Sequence, residues 1–483
     1  MKRVTIRRLP NVLTPSHERV LIRPFIPEDG NRCSRIIARI MTLSDQAARD
    51  RLDKVIADFA SRHQNIEEVL FRHFETVRAW TMTDAPLSRT RQLLIGAYFT
   101  QEYSLESAAL FNPSIVPHPD QSGAHGGGLR FIMSLRATGE GHISSIVFRE
   151  GMVTDEFQIK LRKPTPFVTE PEMIPCQIYE KHLFQRKLAE LNFENEFSRR
   201  VLAELHEDFT LAELASQVEL DRRQRPSSGE AEHTGRGMLA LAYSNYEVTF
   251  GAGQRTSEKA IFPTTTSQLR GIEDARFTLF REEDGSACYY GTYTAYDGKT
   301  ILPQLIETGD FVSFKFLTLN GPAVRNKGMA LFPRRINGRY TMLSRQDNEN
   351  LYLMSSDNIH FWYAPELIVK PTFSWEYVQI GNCGSPIETD AGWLVLSHGV
   401  GPMRRYCIGA FLLDKEKPTN VIGRLAEPLI EPDENEREGY VPNVVYTCGA
   451  LPYKGQLVIP YAMSDYATGF AMADIGELIA AME

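Results

Sequence analysis

The sequence predicts a mainly β protein: a five-bladed β-propeller with a helical N-terminal extension over residues 1–95 and a helical insertion at about 172–237. Three observations carry this expectation. A phrase made of turn residues with glycine, a short alternating apolar-aromatic strand and a closing polar side chain occurs five times. Two other stretches keep the 3.6-residue apolar period of helices. No stretch approaches the ~20 uninterrupted apolar residues of a membrane span.

The extension comes first. Ile36, Ile37, Ile40 and Leu43 share one helical face, and Leu52, Val55, Ile56 and Phe59 repeat the period. Arg32, Arg35, Arg39, Arg49 and Arg51 alternate with acids, as solvated helix faces do. Asp84-Ala85-Pro86 breaks the pattern, and the β domain is expected over 96–483. Within it, Leu188, Leu191, Val201, Leu202 and Leu205 form the stripe of the helical insertion, and the polar run Arg222 to Gly237 reads as a loop. The strand phrases are GGGLRFIMSLR at 126–136, DGSACYYGTYTAYDG at 284–298, NGRYTMLSR at 337–345, AGWLVLSHG at 391–399 and KGQLVIPYAMSD at 454–465. Their glycines at 338, 392 and 455 follow the preceding one after 53, 54 and 63 residues, close to the roughly 40–50 of a four-stranded propeller blade. Each phrase ends in a polar group, Arg136, Tyr296, Arg345, His398 or Asp465. In a propeller such strand ends converge on one axial mouth.

Composition excludes several functions. The 483 residues carry 53 Lys and Arg against 61 Asp and Glu, a net charge of −8, so the chain is a poor binder of nucleic acid, which needs clustered cations. The opening MKRVTIRRLPNVLTPS lacks the apolar segment of a signal peptide, and the expected location is the cytoplasm, with no membrane association. Cys33, Cys176, Cys288, Cys383, Cys407 and Cys448 are scattered without a zinc spacing; they read as reduced, buried thiols, and neither a metal nor a cofactor is expected. Asn112 opens an Asn-x-Ser triplet blocked by Pro113, and GAGQRTSEK at 251–259 lacks the phosphate-loop spacing.

The chemistry gathers in three strings. Gly271-Ile272-Glu273-Asp274-Ala275-Arg276 places two acids and a base just before a strand. Asn326-Lys327-Gly328 leads toward Arg345, and Gly381-Asn382-Cys383-Gly384-Ser385 runs on to Glu388 and His398. By themselves these are equally compatible with salt-bridged turns.

GIEDAR, YYGTYTAYDG, NKGMALFPRRINGRY, GSPIET with GWLVLSHGV, and EREGYVPNVVYTCG occur in that order, preceded by FNPSIV at 111–116. Together they resemble glycoside hydrolase family 130, the inverting β-mannoside phosphorylases and β-1,2-mannosidases. The resemblance covers about 110–170 and 240–480 and implies a five-bladed propeller. It implies that Asp274 is the proton donor, acting through a sugar hydroxyl, which requires a carboxyl kept protonated near neutral pH. It implies that Arg276, Lys327, Arg345 and His398 hold inorganic phosphate. Asn112, Arg136 and Asp465 match mannosyl-binding positions, Glu273 adjoins the donor, and Tyr293 and Tyr296 are expected to form a wall.

An inverting hydrolase needs a second carboxylate to activate water, whereas phosphate is already a nucleophile. The basic set therefore favours a phosphorylase, and the resemblance implies that it cleaves β-mannosides, expected to be β-1,2-linked, to α-mannose 1-phosphate, with inorganic phosphate as co-substrate and a mannose-containing oligosaccharide as substrate. The alternatives are an inverting β-mannosidase using Glu388 or Glu436, and a glycan-binding propeller without turnover. GEGHISSI at 139–146 and RQDNENL at 345–351 depart from the family's usual strings. The resemblance also allows a homo-oligomer joined through the N-terminal helices.

Overall fold

The computed structural model describes residues 4–482 apart from 84, 125, 175–177 and 225–228. Asp84, Cys176 and part of the 222–237 run lie outside the described residues. The chain is mainly β. Each repeated phrase supplies a central strand of an antiparallel group, because alternation lets both faces find apolar neighbours.

Ala109–Pro117, Leu129–Thr138 and Ser144–Val153 form the first group, with Ile159–Leu161 and Ala260–Ile261 on its outer strand. Gly271–Arg281, Ala287–Tyr296, Ile301–Thr308 and Ser313–Thr318 form the second, extended by Tyr246–Thr249 and Glu172–Ile174. A single parallel pairing of Gly271 with Ser144 joins these two into one hydrogen-bonded sheet. The third group runs from Ala330–Leu331 through Tyr340–Ser344 and Leu351–Ser356 to Pro365–Val369. The fourth comprises Gln379–Asn382, Gly392–Val400, Tyr406–Leu413 and Val421–Arg424, with Ile387–Thr389. The fifth holds Val445–Tyr446, Leu451–Tyr453, Gln456–Met463 and Ala467–Asp474.

Hydrogen bonds tie each group to the next. Phe277 N donates to Ser114 Oγ at 2.9 Å, Thr292 Oγ1 to the Met329 carbonyl at 2.5 Å and Ile380 N to the Glu349 carbonyl at 2.9 Å. Tyr406 N donates to the Asn443 carbonyl at 3.0 Å, and Cys448 N returns to the Pro113 carbonyl of the first group at 2.8 Å. Aromatic side chains fill the space between the first two groups, where Phe148 stacks on Phe314 with centroids 5.6 Å apart.

The N-terminal expectation needs correction. Helices do occupy Gly30–Met41, Asp45–Phe59, Ile66–Val77 and Arg89–Tyr98, but two strands precede them. Ile6–Leu13 pairs antiparallel with Ala467–Asp474, covering the edge of the fifth group, and Ser16–Pro24 pairs with Thr100–Glu106. Helical periodicity cannot register an open sheet edge more than 450 residues away in sequence, and that edge needs a partner. Arg8 anchors the first strand by a fork to Glu436, 2.9 Å to each oxygen. Arg8→Ala leaves the buried Glu436 without this cation and is expected to cost about 1–2 kcal/mol, part of it already screened by solvent around Arg8. Thermal unfolding beside the parent protein checks this, and an unchanged midpoint would remove the clasp from the stability account.

The insertion is helical over Lys181–Glu190, Glu196–Ala203, Leu211–Gln224 and Gly229–Tyr243. The last of these replaces much of the loop expected at 222–237. Its apolar face, Met238, Leu241 and Ala242, lies beyond the polar first half on which the loop expectation rested. Among the described residues no helix is long and apolar enough to cross a membrane.

Candidate active site

Two bulges create the centre of the site. The first two strands of the second group lose register between Glu273 and Arg276, and those of the first group between Phe111 and Ser114. Asp274 and Asn112 sit in these bulges with φ of 56° and 48°, left-handed values that non-glycine residues adopt at some cost. An extra residue re-aims a side chain out of the sheet alternation. Here it turns the two side chains toward each other: Asn112 Nδ2 donates to Asp274 Oδ1 at 2.6 Å. Among the described residues, Asn112 Oδ1 is buried without a hydrogen-bond partner, an unused acceptor beside Asp274.

Arg136 completes this half. Its Nε donates to Ser144 Oγ at 2.8 Å, Nη2 to Glu273 at 2.8 Å, and Nη1 reaches Asp274 at 3.5 Å. Its guanidinium lies 5.0 Å from the Phe111 ring centroid. Glu273 also accepts from Lys327 Nζ at 2.7 Å, so one carboxylate bridges a cation of the first group and one from the loop before Ala330–Leu331. Burial would raise the pKa of Asp274, but the charges of Arg136, Arg276 and Lys327, with the Asn112 hydrogen bond, hold it down to about 2. The expectation of a carboxyl protonated near neutral pH therefore fails for the free protein; three cations outweigh desolvation. Asp465, in a left-handed turn with φ 50°, goes the other way. Burial pushes its pKa up to about 6; Arg136 opposes this and the charge of Asp274 adds to it.

Arg345, His398 and Arg276 form the other half. Arg345 Nη1 lies 3.4 Å from His398 Nε2, and its Nε is 3.5 Å from the Lys327 carbonyl. His398 is completely buried. Burial, then the charges of Arg345 and Arg276, drive its pKa well below the ordinary histidine value, so it is neutral rather than basic. Arg276 is 1% exposed and already engaged: Nε donates to the Cys383 carbonyl, Nη1 to the Asp274 carbonyl and Nη2 to Tyr446 Oη, each at 2.7 Å. It clamps the Asp274 bulge from behind, which makes it a positioning group before any contact with an anion.

Close backbone approach is built in. A Cβ on Gly381 would lie 2.5 Å from His398 Cε1 and 2.7 Å from Arg345 Cδ, and one on Gly328 2.7 Å from Arg345 Nε. Gly381→Ala must displace both side chains. It is expected to raise the KM for phosphate by about tenfold, equivalent to ~1.4 kcal/mol, with little change in mannoside KM. Initial rates at varied phosphate decide this, and an unaltered KM would separate Arg345 and His398 from the anion.

Three expected site residues, Tyr296, Glu388 and Glu436, are engaged elsewhere, and Tyr293 lines a small cavity beside Arg276 and Lys327 while its hydroxyl is used by structural partners. Tyr293 is 2% exposed, and its hydroxyl donates to Gln304 and accepts from Gln268, 2.6 and 3.1 Å away, inside the second group. Tyr296 turns its hydroxyl onto the Gly298 carbonyl of its own hairpin. The two residues fall on opposite faces of the strand; buried polar partners hold the Tyr293 hydroxyl, and Tyr296 bonds within its own hairpin. Glu388 is held by Arg334 at 2.8 and 2.9 Å with Lys415 nearby, and Glu436 is held by Arg8 and Tyr461. Both carboxylates already have structural partners. Conversely, sequence reasoning missed Tyr446, whose ring lies 4.9 Å from that of His398 and whose hydroxyl receives Arg276. The signal was present, since Tyr446 stands in the EREGYVPNVVYTCG string. Among the described residues no cluster of His, Cys, Asp and Glu would hold a metal ion.

Comparison with known proteins places the chain among carbohydrate-active phosphorylases by sequence. A family model described as beta-1,4-mannooligosaccharide phosphorylase, Glyco_hydro_130, matches residues 236–483. A 1,2-beta-oligomannan phosphorylase of Thermoanaerobacter sp. (strain X514) is 35% identical over 248 residues, 50% of this chain and 79% of that protein. A beta-1,2-mannobiose phosphorylase of Listeria innocua serovar 6a is 30% identical over 236 residues, 46% of this chain and 63% of that protein. The solved structure of beta-1,2-mannobiose phosphorylase from Listeria innocua in complex with beta-1,2-mannobiose aligns with a TM-score of 0.46 at 20% identity, covering 79% of this chain and 93% of that one. The family model spans half of the sequence, and with it the motifs around Asp274, Lys327, Arg345 and His398: the chain belongs to glycoside hydrolase family 130.

Proposed function

We propose that the protein is an inverting phosphorylase of β-mannosides, with β-1,2 linkages as the preferred class, releasing α-mannose 1-phosphate. The observation that carries this reading is the meeting of Asp274 with Lys327, Arg345 and His398, contributed by separate sheet groups, while Glu388 and Glu436 are tied up in structural ion pairs. Phosphate held by an ammonium and a guanidinium fork attacks the anomeric carbon, and no carboxylate base is required. Asn112, Arg136 and Asp465 orient the terminal mannosyl unit. Asp274 delivers a proton through a sugar hydroxyl to the departing oxygen. The 35% identical 1,2-beta-oligomannan phosphorylase supports the linkage class.

The finer architecture belongs to the same reading. Five antiparallel groups, each bonded to the next and the last to the first, support a five-bladed propeller with the site at the shared mouth. The N-terminal helices remain available as a contact between copies, and light scattering giving a monomer mass would exclude that use. The reaction is tested by following mannobiose breakdown with and without inorganic phosphate, quantifying mannose 1-phosphate and free mannose separately. Mannose 1-phosphate formed only with phosphate is the expected result. Free mannose at an equal rate without phosphate would make the protein a hydrolase, and no turnover of any β-mannoside with binding retained would make it a glycan-binding module.

A further inference from the structure

In the free protein the proposed proton donor has no proton to give. Asp274 is ionised, accepts from Asn112 at 2.6 Å and lies 3.5 Å from Arg136, with Lys327 and Arg276 adding charge. Glu273, from the same strand, offsets part of this field by bridging Arg136 and Lys327. Two of the cations acting on Asp274, Lys327 and Arg276, belong to the set proposed to face phosphate. The groups that hold the nucleophile are thus the groups that keep the acid ionised.

Resting on the phosphorylase reading, we propose that anion binding itself arms the acid: when a tetrahedral dianion settles on Lys327 and Arg345, the Asp274 carboxylate takes up a proton from solvent. A dianion cancels the field of Lys327 and Arg276 at Asp274, so that burial, which favours the neutral carboxyl, is opposed only by Arg136 and the Asn112 hydrogen bond. The proton balance closes. Asp274 passes its proton by way of a sugar hydroxyl to the departing oxygen as the C–O bond breaks, and a phosphate oxygen bonds to the anomeric carbon. The phosphate's own proton is then lost from the product, so hydrogen phosphate and mannoside give mannose 1-phosphate dianion and an alcohol. The consequence is selectivity: without the anion the acid is disarmed, and water attack is suppressed.

Other titratable groups face the same space. His398 is neutral beside Arg345, Cys448 is buried close by, and Asp465 lies near Arg136 from the fifth group. The test must therefore identify the proton's owner, and it must use an anion with no proton of its own. Sulfate meets that need near pH 7. Its binding is measured by titration calorimetry in two buffers of different ionisation enthalpy, and its Kd is followed from pH 8 to pH 6. Linkage requires that if the anion favours protonation, protonation favours the anion equally. The expected result is close to one proton taken up per sulfate by the parent protein and affinity rising by up to about tenfold per pH unit lowered. Asp274→Asn should bind sulfate without proton uptake.

Sulfate binding without proton uptake in the parent overturns the proposal and leaves the phosphorylase reading intact. Uptake that persists in Asp274→Asn assigns the proton to His398, Asp465 or Glu273 and likewise overturns it. If neither sulfate nor phosphate binds, the anion site fails and both readings fall together. The pH dependence of Kd in the parent protein decides the matter even if the variant does not fold.

Discussion

Asp274→Asn is expected to lower phosphorolysis by about 10²–10⁴-fold, the range that a positioned general acid contributes. The substitution is nearly isosteric. It keeps an oxygen for the Asn112 amide and leaves the Arg276 clamp on the main-chain carbonyl untouched. Mannoside binding should therefore survive, so the loss falls on kcat rather than on KM. Steady-state rates with mannobiose, together with calorimetric binding of the same sugar, separate the two effects. Turnover unchanged by the substitution would remove Asp274 from the reaction and with it the central assignment.

Arg345→Gln should act on the nucleophile instead. Losing a charged hydrogen-bonding partner of an anion costs about 1.5–3 kcal/mol, which corresponds to a rise of about 10–150-fold in the KM for phosphate. Arg345 stands beside His398 and over the Lys327 backbone rather than on Arg136 or Asn112. The KM for mannoside should accordingly move little. Initial rates over a matrix of phosphate and mannobiose concentrations give both constants from one experiment. An equal rise in both would mean that the variant has disturbed the whole pocket, and a rise confined to mannoside would place Arg345 with the sugar.

Local pattern made much of this legible. The central strands of all five groups coincide with alternating phrases that begin at a glycine, and the helices of the extension and insertion follow their 3.6-residue stripes. Asp274, Asn112, Arg136, Glu273, Lys327, Arg345 and His398 were all nameable because each stands in a distinctive string. Tyr293 and Tyr296 stand in an equally distinctive string, yet the hydroxyl of Tyr293 is spent on Gln268 and Gln304 and that of Tyr296 on its own hairpin. Strand alternation tells which residues share a face, but not which face receives a buried partner such as Gln268 or Gln304.

The sequence by itself determined that this is a repeated β protein of family 130 carrying an acid and a set of cations, since composition and motif order are local properties of the chain. Tertiary structure alone decided the charge states and the pairing of the N-terminal strand. Asp274 is ionised and His398 neutral because charges and burial contributed by distant segments act on them in a low-dielectric space. Likewise, Ile6–Leu13 is a strand because the exposed edge of Ala467–Asp474 supplies its hydrogen bonds. Backbone pairing across 450 residues and the field of four cations in one pocket are sums over space, and no window along the chain contains them.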